Sequence, residues 1–152
     1  MSKKGDGNMV LTIAMDGPVG AGKSSVADEV ARRLGILHLD TGAMYRAFAW
    51  QALKEGIDTN NAQALAALAE RTMPEVRFEN GAQRTLIGGT DVTDCIRTPE
   101  ISMAASVVST VPQVRRAMVA RQQELAQRQS MLLDGRDIGT RVLPNATLKI
   151  YL

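Results

Sequence analysis

Gly17-Pro18-Val19-Gly20-Ala21-Gly22-Lys23-Ser24 satisfies G-x-x-x-x-G-K-[ST] at every fixed position. A loop of this kind belongs between a strand and a helix, and its flanks supply both. Upstream, Val10-Leu11-Thr12-Ile13-Ala14-Met15 is a short apolar run that stops at Asp16-Gly17-Pro18. That is the pattern of a strand buried on both faces, and so internal to its sheet. Downstream of Lys23, residues Val26, Val30, Ala31 and Leu34 recur on one helical face, Asp28, Glu29, Arg32 and Arg33 lie elsewhere, and Gly35 ends the helix. The glycines let successive backbone N–H groups turn toward one anion, and the helix adds its positive end at the same place. The stretch therefore predicts a polyphosphate site. Lys23 would reach the β and γ phosphates, and the Ser24 hydroxyl suits a Mg²⁺ ion carried in by a nucleotide.

The alternation of strand and helix continues outward from this loop. Ile36 to Asp40 reads as a second strand, followed by a helix that Thr41 caps and Gly56 closes after Lys54. Another helix is predicted from Ala62 to Arg71. Val76 to Glu79 and Gln83 to Ile87, joined through Asn80-Gly81, have the grammar of a hairpin and interrupt the alternation. Ile101 to Val108 and Pro112 to Arg128 read as two more helices, the second with Val114, Met118, Arg121 and Leu125 along one face. Met131 to Asp134 and Leu148 to Leu152 complete the strands. The expectation is an α/β protein with the three-layer P-loop NTPase fold, a parallel sheet and a small antiparallel β insert. Residues 1–9 read as a disordered leader and 10–152 as the core. The last strand has no covering helix after it, so the chain reads as C-terminally incomplete.

Composition narrows the function classes. The chain has 152 residues, 45% of them apolar, with one cysteine, which fits one domain with a proper core and excludes a disulfide scaffold. A net charge of +2 and 3% aromatic residues provide neither the basic field nor the stacking platforms of a nucleic-acid binder. The early apolar run is too short for a membrane span or a signal segment, so the expectation is a cytoplasmic protein with no membrane partner. Cys95 reads as a small buried or loop residue, His38 as strand-end packing, the methionines as core filler and Trp50 as a helix-face core residue.

A phosphate loop needs an acid near the metal, and Met131-Leu132-Leu133 delivers Asp134 at the C-terminal end of a strand, where ligands bind in open α/β sheets. The plainer reading of Asp134 is a turn cap with Gly135, and Asp16 is a weaker candidate for the metal. Two polar clusters follow other strand ends: Asp40-Thr41-Gly42-Ala43-Met44-Tyr45-Arg46 and Asp134-Gly135-Arg136-Asp137. They supply arginines suited to an acceptor phosphate. Because donor and acceptor are both anionic, such a transfer depends on cations and alignment more than on a base. No Asn-Lys-x-Asp segment occurs, which disfavours a GTPase, whereas the loop alone leaves a shikimate-type or other small-molecule kinase open.

Taken together, Gly-Pro-Val-Gly-Ala-Gly-Lys-Ser, Asp-Thr-Gly-Ala-Met-Tyr-Arg and Asp-Gly-Arg-Asp-Ile-Gly resemble the bacterial cytidylate kinase family, from about Val10 to Leu152. The resemblance implies transfer from ATP, with Mg²⁺, to CMP or dCMP. It also implies that the β insert belongs to a nucleoside-monophosphate-binding region at about 60–110. By the same resemblance, Gly17, Pro18, Val19, Gly20, Ala21, Gly22, Lys23, Ser24 and Ser25 hold ATP. Arg46 and Arg136 hold the CMP phosphate, Ser106, Arg115 and Asp137 read cytosine, and Thr41 and Tyr45 line the acceptor pocket. Lys23 and Arg136 would carry the transfer, and Ser24 and Asp134 the Mg²⁺. A carboxylate at position 137 suits the donor amine of cytosine and repels the acceptor that uracil presents there. Read without the resemblance, Arg115 and Arg136 are surface charges, Ser106 is bonded back to its own helix turn and Tyr45 is core. The resemblance also implies a lid beyond the last strand that closes over the phosphates, and the expectation is that it is missing here. The alternative is thus a fragment that binds nucleotide without turnover. The expected state is a monomer when complete, with association possible through the last strand.

Overall fold

The structure is a computed structural model that describes residues 9–18 and 22–152. The leader expected at 1–9 lies almost wholly outside the described residues, as do Val19, Gly20 and Ala21 of the phosphate loop. The chain forms two compact units. One comprises the described residues as far as Thr41 together with Ala120–Leu152, and the other is Gly42–Val119.

The first unit is built on a four-stranded, wholly parallel sheet of β1 (Thr12–Asp16), β2 (Leu37–Asp40), β6 (Met131–Gly135) and β7 (Leu148–Tyr151), in the order β2-β6-β1-β7. The phosphate-loop strand β1 is thus internal, as its unbroken apolar run predicts. Its register against β6 sets Met15 beside Asp134 and Asp16 beside Gly135. Helix α1 (Lys23–Leu34) ends at Gly35, whose φ of 69° only glycine adopts without strain. Its buried face differs from the expected one. Ala27 and Ala31, with Val30 beside them, pack on Ile13, Met15 and Leu132, while Val26 is 40% and Leu34 52% exposed. The two alanines let the helix lie close to the strands, and this seating outweighs the larger but misphased valine and leucine. Each large apolar side chain buried here contributes about 1.5–3 kcal/mol.

The second unit carries α2 (Thr41–Lys54, from Gly42 onward), α3 (Ala62–Arg71), β3 (Glu75–Glu79), β4 (Ala82–Ile87), β5 (Thr90–Asp91), α4 (Pro99–Val108) and the first part of α5 (Pro112–Arg128). Asn61 caps α3 by accepting from Ala64 N at 3.0 Å, and Thr98 caps α4 by accepting from Ile101 N at 3.2 Å. The predicted hairpin is present, with Asn80 and Gly81 both at positive φ, as a type I′ turn demands. Strand β5 was not expected. Gly88 and Gly89, again at positive φ, turn the chain back so that Leu86 pairs with Asp91. Phe48, Leu65, Leu68, Ile87 and Ile96 are buried in this unit.

Several single-residue expectations need correction. On α5 the residue buried beside Leu125 is Gln122, at 1% exposure, rather than Arg121. Met15, Met44, Met118 and Met131 are core, but Met103 is 72% and Met9 88% exposed. Trp50 is half-buried rather than core, with Lys54 Nζ 5.0 Å from its ring centre, whereas Cys95 is the loop residue that was one of its two expected readings, and it is exposed.

Candidate functional site

All four strands of the parallel sheet run the same way, so the ends of β1, β2 and β6 deliver Asp16, Asp40 and Asp134 to one rim. At that rim Lys23, the first residue of α1, turns back toward β6. Its Nζ donates to Gly135 O at 2.9 Å and lies 3.5 Å from Asp134 Oδ1. Both side chains are sheltered, at 12% and 4% exposure, so little water screens the pair. Gly22, directly before the helix, has φ 74°, and Ser24 and Ser25 are exposed at the helix start. Gly17 N donates to Gly135 O at 3.2 Å, and a Cβ at Gly17 would sit 2.9 Å from Leu152 O. This glycine is therefore required by a close backbone approach. An open cavity of about 430 Å³, lined by Gly17, Pro18, Arg136 and Tyr151, adjoins the loop.

Asp134 is the hub of the rim. Its Oδ2 meets His38 Nε2, its Oδ1 faces Lys23, and its carbonyl accepts from Thr41 Oγ1 at 2.8 Å. His38 Nδ1 in turn lies 2.5 Å from Asp28 Oδ1. His38 is therefore not the packing residue expected of it. Burial alone would push its pKa down, but the hydrogen bonds to Asp134 and Asp28 outweigh burial and hold it above the usual histidine value. Thr41 is buried and links the end of β2 to the end of β6.

Asp16 has a role that its position in the sequence did not disclose. Its carboxylate accepts from Ile138 N at 2.7 Å and Gly139 N at 2.8 Å. Both oxygens are spent on the π-type turn Ile138–Val142, which follows directly on Arg136 and Asp137. Asp16 thus anchors the loop that carries those two residues, and Gly139 keeps room for it, since a Cβ there would lie 3.3 Å from Asp16 Oδ2. Nothing local in either segment reveals this link, which joins positions 122 and 123 residues apart. Arg136 is exposed and Asp137 half-buried.

The other expected acceptor residues belong to the second unit. Tyr45 and Arg46 are half-buried on α2, Arg115 Nη1 donates to Ser109 O at 3.4 Å, and Ser106 is exposed with its Oγ donating to Ser102 O at 3.2 Å. The back-bond in α4 is the plainer of the two readings of Ser106, and it leaves the oxygen's lone pairs available as acceptors. Among the described residues no group of three His, Cys, Asp or Glu side chains is arranged to hold a metal ion by itself. No described helix is long and apolar enough to cross a membrane.

The family model described as cytidylate kinase matches residues 13–152. The chain belongs to the cytidylate kinase family. It is 51% identical over 148 residues to the cytidylate kinase of Symbiobacterium thermophilum, covering 97% of this chain and 66% of that protein. It is 48% identical over 142 residues to that of Bacillus subtilis (strain 168), covering 93% of this chain and 63% of the relative. With that of Oceanobacillus iheyensis the identity is 46% over 142 residues, covering 93% and 62%. The chain thus spans a little under two thirds of the length of these relatives. Membership of the cytidylate kinase family agrees with the parallel sheet, the helices and the small antiparallel sheet described above, which together are a P-loop α/β kinase fold.

Proposed function

We propose that this chain transfers the terminal phosphoryl group of ATP to CMP or dCMP, giving ADP and CDP or dCDP, in the cytoplasm and without a nucleic-acid or membrane partner, the complete protein being a monomer. The observation that carries the reading is the placement of Lys23 between Gly135 O and Asp134 at the strand-end rim, beside a cavity that Arg136 lines. In that position the ammonium is held by one carbonyl and one loosely spaced carboxylate, and it exchanges these for phosphate oxygens without leaving the rim.

The loop from Gly17 to Ser25 binds the ATP phosphates through backbone N–H groups and the start of α1. Mg²⁺ fits the donor set, because the Ser24 hydroxyl and the Asp134 carboxylate are hard oxygen ligands of the kind it prefers. When bound it supplies neutralisation of the phosphate charge. Arg136 and Arg46 hold the acceptor phosphate and offset its repulsion of the incoming group. Asp137 accepts from the cytosine amine, with Ser106 and Arg115 completing base recognition and Thr41 and Tyr45 lining the acceptor. The homologous proteins' name, cytidylate kinase, supports CMP as the acceptor.

A phosphotransfer assay on the 152-residue chain with ATP and Mg²⁺ tests the proposal, comparing CMP, dCMP, UMP, AMP and no acceptor. CDP and dCDP formation well above the other rates is the expected outcome. Equal turnover of UMP, or ADP release independent of acceptor, would overturn the acceptor assignment.

A further inference from the structure

Asp134 divides its carboxylate between Lys23 and His38. Oδ1 faces Lys23 Nζ at 3.5 Å, and Oδ2 meets His38 Nε2. The far side of the imidazole is held as well, since Nδ1 lies 2.5 Å from Asp28 Oδ1. Both ring nitrogens are thus held by carboxylates, one on each side, so the ring is fixed in place between Asp28 and Asp134. The three residues come from three elements: Asp28 from the second turn of α1, His38 from β2 and Asp134 from the end of β6. The result is a continuous link from an exposed side chain, Asp28 at 75%, to the buried hub, Asp134 at 4%.

A carboxylate joined to its chain through a nearly two-fold torsion has no strong orientation of its own. Here the His38 ring fixes it, and with it the direction in which Oδ1 is presented. With Oδ2 engaged by the ring, Oδ1 is the oxygen turned to Lys23, whose Nζ stands 3.5 Å from it and donates to Gly135 O instead. We propose that His38, anchored by Asp28, is a positioning residue that orients Asp134 for the nucleotide's Mg²⁺ and keeps Lys23 releasable to phosphate. The proposal rests on the ATP–Mg²⁺ reading of this rim but not on the identity of the acceptor.

The test is ADP binding by calorimetry to the 152-residue chain, with Mg²⁺ and with a chelator, for wild type, His38→Leu, His38→Gln and Asp28→Asn. Groups that orient a metal's ligand change metal affinity by about 10–100-fold when removed. His38→Leu is expected to lose about tenfold of the Mg²⁺-dependent gain in ADP affinity while leaving metal-free ADP binding within about twofold. His38→Gln restores an N–H toward Asp134 and should recover most of the gain, whereas a merely structural histidine would show no such rescue. A Mg²⁺-dependent gain in His38→Leu within about twofold of wild type would overturn the proposal.

Thermal melts report whether His38→Leu folds. If it does not, Asp28→Asn and the imidazole resonances decide the matter. His38 is the one histidine of the chain, so its ring ¹⁵N signals need no assignment. They should move when Mg²⁺ is added to the ADP complex, and signals that stay fixed, with Asp28→Asn equal to wild type, would refute the role. Mg²⁺-dependent ADP binding without CMP phosphorylation would sink the proposed acceptor and leave His38 standing. A chain that binds no ADP overturns both.

Discussion

Replacing Asp16 by asparagine asks whether the loop carrying Arg136 and Asp137 is held by a charge or by packing alone. The two carboxylate oxygens accept from Ile138 N at 2.7 Å and Gly139 N at 2.8 Å, and the residue is 9% exposed. Hydrogen bonds to a charged acceptor contribute about 1.5–3 kcal/mol each, so the pair contributes on the order of 3–6 kcal/mol. Asparagine keeps one acceptor but turns an NH₂ group against the second N–H, losing one bond and stranding one buried donor. Removing a buried charge offsets part of that loss. The expected destabilisation is about 2 kcal/mol for Asp16→Asn and about 4 kcal/mol for Asp16→Ala, which strands both donors. At a urea slope of about 2 kcal/mol/M, the unfolding midpoint falls by about 1 M and about 2 M respectively. Urea melts followed by circular dichroism measure this, and the KM for CMP should rise in the same proteins by more than that for ATP. A midpoint shift below about 0.25 M for Asp16→Ala, with the KM for CMP unchanged, would refute the reasoning and return the loop to its own turn geometry.

Lys23→Ala is expected to lower transfer to every acceptor by about 10²–10³-fold, and normal turnover in a coupled assay would remove the lysine from the phosphate site. Asp137→Asn, which places a donor where uracil offers an acceptor, should narrow the preference for CMP over UMP by about tenfold, read from the ratio of kcat/KM values. Gly135→Ala would put a Cβ 2.8 Å from both Ile138 Cδ1 and Thr41 Oγ1, of which Thr41 is tied to Asp134 O and Ile138 is buried at 1% exposure, so room is made only at a cost. A loss of about 1–3 kcal/mol in urea melts is expected, and a neutral result would mean that the rim relaxes readily. Asp91 is held down to about 2 by the Thr93 hydroxyl and backbone N–H and then by Arg84. Its ionised form therefore stabilises the hairpin above the unfolded carboxylate value near 3.8, and that contribution is lost as pH falls toward 2. Thr93→Val should raise its ¹³C titration midpoint, and an unmoved midpoint would assign the depression to Arg84.

What the sequence disclosed follows from the range of the interactions involved. Helix α3, the start of α5 and the Asn80-Gly81 hairpin were legible to within a residue or two, because caps, proline and turn chemistry act over neighbouring positions. The two-residue strand β5 is too short to show alternation, and its signal, Gly88-Gly89, looks like any loop. The face of α1 was misphased because hydrophobicity ranks valine and leucine above alanine, while the sheet selects the small residues that permit close approach. At the site, Gly17, Lys23, Ser24 and Asp134 were legible as a motif and a strand end. The links from Asp16 to Ile138 and from His38 to Asp134 were not, because each joins residues some hundred positions apart whose pairing is fixed only by the register of β1, β2 and β6.

The pairing of β1 with β6 also sets a sequence of events in folding. Leu11 N donates to Ser130 Oγ across 119 positions, and the strands themselves are as far apart in the chain. Closing a flexible loop of that length costs about 4 kcal/mol beyond a constant term, before any strand contact repays it. Gly42–Val119, by contrast, is continuous in sequence and compact in itself. Its folding in advance replaces loose chain with an ordered insert and removes much of that entropic barrier. During synthesis, then, the strand leading into the phosphate loop leaves the ribosome early and waits for Met131 to Gly135 before it gains its place in the sheet. Nucleotide binding at the loop is accordingly a late reporter of folding, whereas protection of the hairpin amides is an early one.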